Sequence, residues 1–113
     1  MHELGVVLEV LRTVEDVMKE NGLTKVQTIV LQIGELSSMV PRYVQECFPA
    51  AADGTVFEDT ELRIEVLPAN ARCAGCGMVY PVVPGGGACP RCGGDRKELL
   101  SGREFLVKEI VAC

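Results

Sequence analysis

The chain predicts an α+β fold: two helices packed on a small, mostly antiparallel three-stranded sheet, with an inserted four-cysteine, zinc-ribbon-like module. Three observations carry that prediction. Apolar residues make up 48% of the 113 residues, with only five aromatics, Tyr 2 and Phe 3, so the core is aliphatic. Apolar spacing switches between helical and alternating periods along the first two thirds of the chain. Five of the six cysteines fall after residue 67, in a stretch rich in Gly and Pro.

The first element is a helix. Leu4, Val7, Leu8, Leu11, Val14 and Met18 recur at helical spacing, and Glu9, Arg12, Glu15, Asp16 and Lys19 face elsewhere. Asn21-Gly22 supplies its stop, because either residue readily takes the left-handed conformation that ends helices. Val26 to Ile33 then alternates as a strand, with Ile29, Leu31 and Ile33 on one face, and Gly34 closes it.

Ser37 or Ser38 is placed to cap a second helix with Pro41 in its first turn and Val40, Val44, Cys47, Phe48 and Ala51 on its inner side. Pro49 should shorten or kink that helix, since it has no N–H for the carbonyl four residues back. Leu62, Ile64 and Val66 alternate with Glu61, Arg63 and Glu65, the pattern of a half-exposed strand. Phe105 to Val111 supplies the last strand. The division predicted is an α+β domain over residues 1–67, completed by a strand in 103–113, and a cysteine module over 68–102.

Charge divides along the same line. Residues 1–67 hold 5 Lys/Arg and 12 Asp/Glu, a net of −7, while residues 68–113 hold 6 and 4, a net of +2. No apolar run approaches the roughly 18 residues of a membrane span. Met1-His2-Glu3-Leu4 has neither a basic stretch nor a small-residue cleavage site, so a secretory signal is not expected and a cytoplasmic location is.

Cys73-Ala74-Gly75-Cys76-Gly77 and Cys89-Pro90-Arg91-Cys92-Gly93 are paired CxxC knuckles with twelve residues between them. A tetrahedral zinc ion takes about four soft ligands, and two intervening residues let one tight turn supply two. The glycine after each second cysteine tolerates the positive φ of such a turn. Disulfides and redox chemistry are the rival uses; the intracellular expectation disfavours the first, and the matched pair disfavours the second. With four thiolates the site is closed to water and substrate, so the metal should fold the module rather than catalyse. Metal and thiolates together add about −2, leaving the module near neutral. That disfavours a zinc ribbon that grips nucleic acid, since Arg91, Arg96 and Lys97 form only a small patch. Cys47 reads as core filling, and Cys113 has no evident role.

The single histidine, His2, leaves no nucleophile–histidine–carboxylate set to be assembled, so enzymatic hydrolysis is the least expected function. Taken alone, His2 is either a solvated terminal side chain or, with Glu3, the α-amine and neighbouring backbone nitrogens, part of an N/O set suited to Ni(II) or Cu(II).

Met1-His2-Glu3, Leu31-Gln32-Ile33-Gly34-Glu35-Leu36-Ser37 and the two knuckles, in this order and at this length, resemble the HypA/HybF family of hydrogenase nickel-incorporation proteins. The resemblance implies a nickel metallochaperone for [NiFe]-hydrogenase maturation, acting with a GTPase partner to place Ni(II) in the hydrogenase large subunit. It implies nickel ligation by the imidazole and backbone nitrogen of His2, often with Glu3 nearby. It also implies structural zinc on Cys73, Cys76, Cys89 and Cys92. Some members place a further carboxylate ligand six residues after the glycine of the Ile33-Gly34-Glu35 segment. In this chain that position is Val40, which leaves Glu35 or Glu46, water or the terminal amine to fill it. Neither knuckle carries an adjacent histidine, so exchange of zinc ligands between cysteine and histidine is not expected.

Overall fold

The computed structural model describes residues 2–84 and 86–112. The element order is α1 (His2–Asn21), β1 (Val26–Gly34), α2 (Pro41–Ala52), β2 (Glu61–Leu67), β3 (Asn70–Cys73), β4 (Val79–Pro81), β5 (Lys97–Leu99) and β6 (Phe105–Ala112). Two three-stranded sheets result, ordered β2-β1-β6 and β4-β3-β5. The α+β class is as the sequence predicts.

Helix α1 ends as expected. Gly22 takes φ +66, and the Leu23 amide donates to the Met18 carbonyl at 2.9 Å, a Schellman-type closure. The buried stripe of α1 is Val7, Val10, Leu11, Val14 and Met18, whereas Leu4 and Leu8, expected inside, are 38% and 46% exposed. Leu8 borders an open cavity that Ala51 of α2, Thr55 and Phe57 also line.

At α2 the cap differs from the expectation. The N-cap residue is Val40, extended at φ −92 and ψ 114, with no side-chain cap. Pro41 occupies the first helical turn, and a residue before proline is driven away from the helical region. Ser37 instead accepts the Met39 amide on its hydroxyl at 3.1 Å, closing a local turn. Val40 is 42% exposed rather than inward. The helix continues through Pro49 to Ala52, so the proline sits in the last turn and the helix stops soon after it.

In the first sheet, β1 pairs with β2 in parallel and with β6 antiparallel. The sheet is therefore mixed rather than mostly antiparallel. The physical reason is the α2 crossover between β1 and β2: a helix that crosses one face returns the chain to run in the same direction. Ile29, Leu31, Ile33 and Leu62, with Ile64, Val107 and Ile110, meet both helices on that face. Val66, the last apolar position of the β2 alternation, is 54% exposed at the sheet's edge, although its neighbour Ile33 on β1 is fully buried. Between α2 and β2, buried Phe57 joins the same core, and the Thr60 hydroxyl donates to the Val26 carbonyl at 2.7 Å.

The Gly- and Pro-rich cysteine module contains a second antiparallel sheet. Its small core is Ala69, Ala71, Cys73, Tyr80, Val82 and Cys89. The strands have only three or four residues, too short for an alternation pattern to appear in sequence.

Candidate metal centre

Each knuckle is a short turn closed by the same two backbone bonds. The Gly77 amide donates to the Cys73 carbonyl at 2.9 Å and the Gly93 amide to the Cys89 carbonyl at 2.8 Å. The Cys73 and Cys89 amides in turn donate to the carbonyls of Met78 and Gly94 at 2.8 and 2.9 Å. Gly77 and Gly93 take φ +77 and +75, the left-handed conformation anticipated after each second cysteine.

The two turns bring Cys73, Cys76, Cys89 and Cys92 together, with all four sulfurs within 4.8 Å of one another. Cys73 Sγ lies 3.5 Å from Cys92 Sγ, and Cys76 Sγ lies 3.6 Å from Cys89 Sγ. Four sulfurs at about 2.3 Å from a tetrahedral zinc ion stand about 3.8 Å apart, so the donor set fits such an ion in both identity and spacing.

Backbone amides prepare the site for a cation. The Cys73 thiol is drawn down to about 6, first by the Cys76 amide, then by the Gly75 amide, which approaches at 3.3 Å, and then by Cys92. Cys89 is also lowered, chiefly by the Cys92 amide and against its burial. At Cys92 the Gly94 amide lowers the thiol, but the crowded Cys73 and Cys89 sulfurs and burial outweigh it and push it up to about 11. The cluster therefore ionises readily at one corner and resists full ionisation, the like-charge repulsion that a bound divalent cation relieves.

Tyr80, which nothing in the sequence singles out, supports the site. It is among the largest fully buried side chains, and its hydroxyl donates to the Gly87 carbonyl at 3.1 Å, tying the loop between the knuckles to the small core. Burial pushes its phenol upward, as do the nearby thiolates.

The remaining candidate residues lie elsewhere. The His2 backbone opens α1, but its side chain is outside the described residues, as are Met1, Gly85 and Cys113. Glu3 is 7% exposed, in the first turn of α1. The Glu35 carboxylate accepts the Ala69 amide at 3.0 Å, and Glu46 is exposed and paired with Arg42 at 3.5 Å. Cys47 is half-buried against the main core.

Comparison with known proteins places this arrangement. Over residues 1–112 the chain matches the family described as "Hydrogenase/urease nickel incorporation, metallochaperone, hypA". It is 42% identical over 112 residues to the hydrogenase maturation factor HypA of Streptomyces avermitilis, covering 97% of this chain and 86% of the relative. The HypA of Geotalea daltonii is 38% identical over 111 residues, with 97% of each chain covered. The solution structure of the Ni metallochaperone HypA from Helicobacter pylori superposes with a TM-score of 0.67 at 25% identity, covering 99% of this chain and 97% of that one. A second HypA solution structure superposes with a TM-score of 0.71. With its helix-covered mixed sheet and its convergent thiols, the chain belongs to the HypA family of hydrogenase maturation factors.

Proposed function

We propose that this protein is a cytoplasmic nickel carrier. It binds Ni(II) through the imidazole and backbone nitrogen of His2, with Glu3 nearby, and delivers it with a GTPase partner to the large subunit of [NiFe]-hydrogenase. Residues 1–67 with the returning strand in 103–113 form the nickel-handling unit. Residues 68–102 form a unit folded by structural zinc on Cys73, Cys76, Cys89 and Cys92. The observation that carries this reading is the family match across residues 1–112, which spans both the N-terminal segment and the four-cysteine cluster.

Physical arguments support the ligand assignment. Helix α1 begins at His2, and the first amides of a helix have no carbonyl acceptor within it. Their nitrogens are thus open to deprotonation and coordination by Ni(II), which favours nitrogen-rich tetragonal sets. Glu3, buried in the same turn, adds a carboxylate beside that set and complements the positive end of the helix. Transfer requires release, and a site at the start of a helix surrenders its ligands one at a time without opening the core.

His2→Gln should abolish nickel binding in titration calorimetry while leaving zinc content and circular dichroism unchanged. Stoichiometric nickel binding by that variant refutes the assignment. In the wild type, nickel affinity should fall as pH drops through about 6.5, because imidazole must be neutral to coordinate.

A further inference from the structure

The two sheets meet at a compact junction where the chain leaves the first sheet after β2 and re-enters it before β6. Gly34, at the end of β1, lies directly against Gly102: a Cβ on Gly34 would stand 2.1 Å from the Gly102 carbonyl oxygen. Gly102 takes φ +117, and a Cβ there would stand 2.5 Å from the Ala69 Cβ. Three chain segments therefore touch backbone to backbone, at a distance that excludes any side chain at either glycine.

Hydrogen bonds tie these segments together. The Leu36 amide donates to the Gly102 carbonyl at 2.7 Å, the Gly34 amide to the Glu104 carbonyl at 2.7 Å, and the Glu35 amide to the Leu67 carbonyl at 2.8 Å. Two carboxylates complete the set: Glu35 accepts the Ala69 amide at 3.0 Å, and Glu104 accepts the Gly102 amide at 2.7 Å. Charge-assisted bonds of this kind are about twice as strong as neutral ones. On the far side the Ser101 hydroxyl donates to the Pro68 carbonyl at 3.0 Å and accepts the Asn70 amide at 3.2 Å.

The same segments adjoin the four-cysteine module on one side and the second turn of α1 on the other. Ala69 belongs to the small core that holds Cys73 and Cys89. Leu36, Ser37 and Met39 line a cavity of about 450 Å³ with Val6 of α1 and with Arg103 and Phe105, so the loop leaving the junction faces α1 at Val6. Among the described residues the two cores share no member.

We propose that Glu35 and Glu104 are positioning residues, whose carboxylates clasp the crossing of Gly34, Ala69 and Gly102 and thereby hold the four-cysteine module in one orientation relative to the N-terminal end of α1. The functional part of this inference rests on the nickel-carrier reading: a clasp of this kind presents both metal sites to a partner as one rigid surface. The orientation itself does not depend on that reading. It also gives Glu35 a structural task in place of a nickel-ligating one, since its carboxylate is engaged with the module.

Residual dipolar couplings measured on the zinc-loaded full chain test the clasp without nickel. In the wild type, amides of the β2-β1-β6 sheet and of the β4-β3-β5 sheet should fit a single alignment tensor. In Glu35→Ala, with native chemical shifts retained within each sheet, the two sheets should require different tensors, and 15N relaxation should show the module tumbling separately. Glu35→Gln keeps a carbonyl oxygen to accept the Ala69 amide and should restore the single tensor. A single tensor in Glu35→Ala, two tensors in the wild type, or loss of native shifts in Glu35→Ala would each overturn the proposal. Nickel titration of the same variants separates the two readings. A wild type that binds no nickel removes the carrier reading and leaves the tensor result standing.

Discussion

The helix-covered sheet and the four-cysteine module are built on different physics. Among the described residues the first buries fourteen in one largely aliphatic cluster drawn from two helices, β1, β2 and Phe57, with β6 packed against it. The second buries six, Cys73 and Cys89 among them, on and beside strands of three or four residues. A region this small cannot bury enough apolar surface to offset the entropy of ordering its chain. On the proposed reading, a cation on the four cysteines would belong to the folding equilibrium of the second region, whereas a metal held at the start of α1 would not belong to that of the first.

The largest expected effect comes from breaking that difference. Chelation of zinc, or Cys76→Ser, should unfold residues 68–102, since structural zinc binding is of order 10 kcal/mol in small metal-folded units. Amide exchange protection should vanish in β3, β4 and β5 and persist in β1. Simultaneous loss in both sheets would show that the two regions form one cooperative unit.

A cavity in the first region tests the converse. Ile29 is fully buried in the central strand, and Ile29→Ala should cost about 2–5 kcal/mol. Thermal denaturation should fall sharply in midpoint while bound zinc, measured by elemental analysis of the folded protein, stays stoichiometric.

Acid should act on the module first. Cys73 is lowered to about 6 from the usual thiol value near 9. Its ionisation therefore contributes stability that is complete above about 9 and is lost as pH falls through about 6. Zinc released to a colorimetric indicator should appear as pH drops below about 6, with the near-neutral protein retaining its metal. Release beginning well above neutrality would contradict the amide-stabilised thiolate.

The smallest effect belongs to the outer face of the first sheet. Glu65 accepts from Gln32 at 3.1 Å and from Lys108 at 3.0 Å, and both bonds hold its carboxyl below the ordinary value. The group is solvent-exposed, so Lys108→Ala should leave the melting midpoint within measurement error. A clear shift would mean that this face contributes to the core's stability.

Much of this architecture is written in local sequence. The Val7-Leu11-Val14-Met18 stripe, the Asn21-Gly22 stop, the β1 alternation and the two knuckles with their glycines all appear in the structure as they read in the chain. Each depends on neighbours within a turn or two, and so the pattern is complete in the sequence. The misread positions depend on remote partners. Leu8 and Val66 are apolar in the right rhythm, but their exposure of 46% and 54% depends on which distant segments pack over them. At Val40 the signal is local: the following proline already dictates an extended residue.

The sequence by itself determined the class of the fold, the four thiols and their closed donor set, and, through its motifs, the family. These follow from residue type and short spacing, which physical chemistry converts directly into turns, periodic faces and ligands. Tertiary structure alone decided that β1 and β2 run parallel, that short strands and Tyr80 brace the knuckles, and that Glu35 reaches Ala69 across 34 positions of chain. Those facts arise from pairing between distant segments, where each partner's choice depends on the other and neither is legible alone.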